Sequence, residues 1–225
     1  MKMFIVCNYI LGITAGIFTL VTGVVLFKKG KRSKELNLIY LGLSYFFILM
    51  NFVFTTLNWS LFFDRFTNYL VYVFFLLFTG QTFYKNRKSL LKYAMGGLSL
   101  IWFSLMFVVE RQYIFSQDYE FRLMSSLLKL FATEIVFAWN IYASVKAYNI
   151  LKNENISTWL LLRLKFMIFA GILMTFLIVP DFFGLGVRVA EPTNTRSFYI
   201  RFARSILILL AVFIQFLAWI MPKVL

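Results

Sequence analysis

Apolar residues run along this chain in seven blocks, separated by short stretches where the charges collect. The blocks cover roughly residues 4–27, 38–59, 66–84, 91–109, 122–148, 159–180 and 205–221. Their lengths match the roughly 17–25 residues a helix needs to cross the hydrocarbon core of a bilayer. The 122–148 block is long enough to extend beyond it. A spanning segment must satisfy every backbone N–H and C=O internally, and a helix does so. The pattern therefore predicts an all-α integral membrane protein, a bundle of about seven transmembrane helices forming one transmembrane domain over 1–225. The first block reads as a retained span. Only Lys2 precedes it, and the basic cluster that a signal peptide carries in front comes after it.

Small residues modify the first block. Gly12, Gly16, Thr19 and Gly23 share one helical face, a spacing that lets a neighbouring helix approach closely. Elsewhere the connections are short. The stretch from Glu110 to Glu120 reads as a loop, and Asp181 to Arg204 as the longest loop, with Gly184, Gly186 and Pro192 breaking its start. The last residues of that loop, from Ser197 to Arg204, read as an interfacial helical turn.

Composition agrees with the pattern: 61% of residues are hydrophobic, 14% are charged and the mean hydropathy is +0.81. Soluble domains carry about a quarter charged residues. A net charge of +14 would ordinarily raise the question of nucleic acid. Here the charges lie between apolar blocks, where they set orientation and meet anionic lipid headgroups, so no nucleic-acid partner is expected. With the amino terminus outside and the carboxyl terminus cytoplasmic, the inner segments hold 14 Lys and Arg against eight in the outer ones. That excess is the positive-inside bias. The composition, rich in Lys, Asn, Ile and Phe, fits an AT-rich prokaryotic or organellar genome, and a prokaryotic plasma membrane is the expected location.

Candidate chemistry narrows quickly. The chain has no histidine and one cysteine, Cys7. No His-ligated metal or haem is expected, no histidine acid–base chemistry and no internal disulfide. No nucleophile–base pair or phosphate loop is visible, so a non-enzymatic role is favoured over catalysis, and no cofactor is expected.

The remaining candidates are polar residues inside the blocks. Glu134 lies midway between Arg122 and Lys146, near the expected bilayer midplane. A carboxylate there costs a few kcal/mol unless protonated, paired or wetted. Lys129 is five residues earlier, about 140° around the helix, and is expected to snorkel outward. Asn51, Asn68, Gln81, Asn140 and Gln215 are the other intramembrane polar candidates, able to line a cavity or to bond between helices. Asp181, Arg201 and Arg204 form an expected charge cluster on the outer face. Trp59, Trp159 and Trp219 sit near block ends, as an interfacial belt requires.

Arg65-Phe66-Thr67-Asn68-Tyr69, at the start of the third block, resembles the Arg-aromatic-x-acid-aromatic pattern of microbial rhodopsins. That likeness would imply a retinal lysine in the last block. No lysine lies between Ser205 and Met221, so no retinal Schiff base is expected, and Asn68 stands at the acidic position. Three functions lead what remains, and a membrane-embedded enzyme acting on lipid through Asp or Glu comes last. The first is a membrane-embedded subunit of a larger assembly, with a membrane-protein partner or a second copy. The second is a small transporter or channel using Glu134 as a coupling carboxylate. The third is a seven-helix sensor without retinal.

Overall fold

A computed structural model describes residues 2–57, 61–84, 90–116, 119–154, 157–176 and 195–220. Among them all regular structure is helical. The helices are α1 (Lys2–Ser33), α2 (Leu36–Leu57), α3 (Leu61–Tyr84), α4 (Leu90–Ser116), α5 (Tyr119–Lys152), α6 (Thr158–Thr175) and α7 (Thr195–Ile220). Four carry stretches long and apolar enough to cross a membrane: Ile10–Ser33, Leu36–Phe54, Phe66–Tyr84 and Thr158–Thr175. Shorter apolar stretches, Gly96–Val109 and Ser205–Trp219, lie in α4 and α7.

Most helices outrun the apolar blocks that mark them. Hydropathy sees only the part suited to hydrocarbon, while the backbone ladder continues through polar residues with good helix propensity. Two expected loops shrink as a result. The stretch from Glu110 to Glu120 is helical up to Ser116 and again from Tyr119. The 197–204 stretch is not a separate turn but the first two turns of α7. At the other extreme α6 is regular only to Thr175, with Phe176 as its C-cap.

Contacts between helices close the bundle into a ring. Successive helices pack against each other from α1 to α7, α7 returns to α1, and α3 also meets α5. Directions follow from register. Gly12 faces Phe52, Gly16 faces Leu49 and Gly23 faces Gly42, so α1 and α2 are antiparallel. Tyr72 meets Thr133 and Asn140 meets Thr79, both 61 residues apart, so α3 and α5 run parallel. The C-terminal ends of α1 and α7 meet through Lys29 and Trp219. Hence α1, α3, α5 and α7 point one way, and Lys28 to Lys34, Lys146, Lys152, Arg163 and Lys165 gather at one end of the bundle.

The α1–α2 seam is the tightest. The expected face of Gly12, Gly16 and Gly23 is spent here, inside the chain, and Gly42 and Gly30 extend it. A Cβ at Gly42 would lie 2.9 Å from both the Gly23 carbonyl oxygen and the Phe27 nitrogen. Without bulky side chains the two backbones approach closely, and van der Waals packing holds them. The link between them is equally short. Lys34 adopts a left-handed conformation (φ 57°). The Glu35 N–H then donates back to the Gly30 carbonyl at 2.9 Å, capping α1, and the Glu35 carbonyl accepts from Leu38 at 3.1 Å as α2 begins.

The interior is aromatic. Tyr45, Phe75, Phe78 and Met106 are fully buried, together with Val136 and Val212. Phe75 meets Phe137 edge-on at 4.9 Å, and Tyr72 stacks on Phe103 at 6.0 Å, so α3 forms the central contact surface for α4 and α5.

Candidate functional site

Two polar features stand out from this apolar interior. The first is the seam between α3 and α5. Thr133, Asn140 and Ser144 sit at helical spacings of seven and four, so they share the buried face of α5. The Tyr72 and Thr133 hydroxyls share a hydrogen bond of 2.9 Å, and Asn140 Nδ2 donates to Thr79 Oγ1 at 2.9 Å. Thr79 also donates to its own helix, to the Phe75 carbonyl. Asn140 Oδ1 is buried without a partner, facing the α6 backbone at Gly171. These hydrogen bonds tie α3 to α5 across an otherwise apolar contact. Alanine substitutions at Asn140 and Thr79 in a double-mutant cycle should show a coupling of about 0.6 kcal/mol, and no more than about 1.7, in mixed-micelle unfolding. Zero coupling would remove the bond from the account.

Glu134 follows Thr133 directly and is half-buried at the border of that face. The register explains why the other polar candidates do not converge on it. With an offset of 61, Asn68 is level with residue 129 of α5 and Gln81 with residue 142. They therefore lie five and eight residues from Glu134 along the axis, or about 7 and 12 Å at 1.5 Å per residue. Asn51, Asn68 and Gln81 are half-buried, Asn51 with contacts of its own. Gln215, on α7, is fully buried, and neither its Nε2 nor its Oε1 has a partner. The side chains of Lys129, Arg201 and Arg204 lie outside the described residues, as does Asp181.

The second feature sits at the basic end and is the stronger candidate. A cleft of about 330 Å³ opens between α3, α5, α6 and α7. Its walls are mostly apolar, including Phe83, Ala147, Leu160 and Met167, and its cations are Lys146 and Arg163. Arg163 lies over the Trp219 ring, its guanidinium carbon 3.5 Å from the ring centroid. Its Nε is buried without a hydrogen-bond partner. Behind the ring, Lys29 Nζ donates to the Trp219 carbonyl at 2.6 Å, placing a cation on the C-terminal end of α7. On its other side Trp219 meets Phe78 edge-on at 5.6 Å. Glu35 is close enough to act electrostatically on both Lys29 and Arg163. The local balance of Lys29, Lys146 and Arg163 against Glu35 remains positive.

Trp219 thus departs from expectation. It is 4% exposed, locked between α1, α3 and α6, and is no interfacial anchor. Arg163 is half-buried against it. Sequence reasoning missed the pair because they are 56 residues apart on helices with no shared motif. The available signal was an arginine one turn inside an apolar block.

Compared with known protein families, with curated proteins and with solved structures, the chain matches none. Among the described residues the regular structure is all helical, and four helices are long and apolar enough to cross a membrane. That build is compatible with an integral membrane protein.

Proposed function

We propose that this chain is a seven-span protein of a prokaryotic plasma membrane that serves as a non-enzymatic, membrane-embedded subunit of a larger assembly. Its amino terminus lies outside and its carboxyl terminus in the cytoplasm. The orientation is supported by the alternating helix directions, which bring the basic segments to one end, where an anionic cytoplasmic leaflet attracts them.

The observation that carries the subunit reading is the outward face of α4. This helix packs on α5 and, along a shorter seam, on α3. Gly97, Ile101, Ser104 and Val108 follow at spacings of four, three and four, and all are exposed. A Cβ at Gly97 would meet nothing within 4 Å. Lipid chains gain little from a glycine on a helix surface, whereas a second helix gains close backbone approach. The occupant is a membrane-spanning helix of a different protein.

Native mass spectrometry of the protein, extracted gently from its own membrane, tests this. The expected result is a stoichiometric protein partner that Gly97→Leu releases. That variant adds bulk where this chain itself offers no clash, so its fold should persist. Extraction of the chain alone, or as a homo-oligomer, would sink the proposal.

A further inference from the structure

The cleft at the basic end has mostly apolar walls, and among the described residues the charged groups that line it, Lys146 and Arg163, are both cations. Arg163 is the central group. Its guanidinium carbon lies 3.5 Å from the Trp219 ring centroid, and its buried Nε has no partner among the described residues. A guanidinium carries its N–H donors in a rigid planar fork, which suits the oxygens of a phosphate. Lys146 adds a second cation at the rim. Thr82, also in the lining, accepts from Asn37 Nδ2 at 3.3 Å, which ties α2 to the α3 wall.

We propose that this cleft binds a phosphate-bearing anion, the phosphate on Arg163 and Lys146 and any attached hydrocarbon along the apolar walls of α5 and α6. Basic pockets between membrane helices on the cytoplasmic side take anionic lipid headgroups for this reason. The volume of about 330 Å³ is enough for a headgroup and the first carbons of its chains, not for a whole lipid. The same chemistry accepts a phosphate from the bilayer or from solution. The site rests on the cytoplasmic placement of the basic end proposed above, and it does not need the protein partner at α4.

Detergent-purified full-length protein, measured by native mass spectrometry and thermal unfolding, tests the site. The probes are short-chain phosphatidic acid, phosphatidylcholine with the same chains, and inorganic phosphate. The wild type should retain one phosphatidic acid in preference to phosphatidylcholine. Arg163→Gln should weaken retention about tenfold or more, the loss expected for one hydrogen bond to a charged group. Lys146→Gln, at an exposed position, should weaken it in the same direction and keeps the test open if Arg163→Gln does not fold. Lys165→Gln is the control, since Lys165 is exposed on the same helix, lies over Tyr148 and does not line the cleft. It should bind as the wild type does. Stabilisation by inorganic phosphate that depends on Arg163 or Lys146 would support the site and assign a soluble source. Equal retention of the two lipids, or equal losses in Lys146→Gln and Lys165→Gln, would overturn it. A loss of lipid binding with the protein partner still attached separates failure here from failure of the subunit reading.

Discussion

Gly42→Leu should abolish the folded bundle. A Cβ at this position would already lie 2.9 Å from two backbone atoms of α1, the Gly23 oxygen and the Phe27 nitrogen, and 3.1 Å from Phe27 Cβ. Backbone on both sides leaves no flexible side chain to give way, so α1 and α2 must separate. Overpacking typically costs about 1–3 kcal/mol, and Gly42→Ala should fall in that range. The three further carbons of leucine have nowhere to go and should exceed it. Size-exclusion chromatography with helix content by circular dichroism gives the readout. Gly42→Leu should yield aggregate in place of a monodisperse peak. Gly80 provides the contrast. It is buried on α3, yet a Cβ there would meet nothing within 4 Å. Gly80→Ala should be neutral or stabilise by up to about 1 kcal/mol, because alanine has the better helix propensity. A folded, monodisperse Gly42→Leu protein would show that the α1–α2 seam is not where the bundle is constrained.

The second large effect is expected at Trp219. Replacing this buried ring with alanine should cost about 3–5 kcal/mol, as for other large core aromatics. Three helices lose contact together. Phe78 on α3 loses its edge-on partner, Arg163 on α6 loses the ring it lies on, and α7 loses its main wedge at the basic end. The bond from Lys29 should survive, since its acceptor is the backbone carbonyl of residue 219. Trp219→Phe keeps most of the volume and should cost less than about 1.5 kcal/mol. Denaturant titration followed by circular dichroism avoids confusing loss of the fluorophore with loss of the fold. A cost below about 1 kcal/mol for Trp219→Ala would mean that the end of α7 is held by other contacts.

These two positions also mark how far the chain could be read in advance. The apolar blocks announced each helix, because a long run of apolar side chains leaves a mark that needs no knowledge of neighbours. The face of Gly12, Gly16 and Gly23 was visible for the same reason, being a local spacing on one helix. Its counterpart was not visible. Gly42 and Gly30 matter only because the short link through Lys34 and Glu35 folds α2 back onto α1, and which residues then oppose each other is a property of two helices.

The same division holds for the polar residues. Asn140 stood out as a costly group inside an apolar block, but nothing along the chain pairs it with Thr79, 61 residues earlier. Glu134 was conspicuous as a carboxylate near the midplane, and its neighbours were set by the parallel register of α3 and α5. Arg163 and Trp219 are the clearest case. Each taken singly looks like a residue for the membrane–water boundary, where amphipathic side chains settle. Closure of the ring, with α7 between α1 and α6, brings the half-buried Arg163 over the buried Trp219 ring in the lining of a cleft. Periodicity and hydropathy are one-dimensional and record what each helix tolerates around it. Which helices become neighbours, and which side chains therefore meet, depends on packing between distant segments.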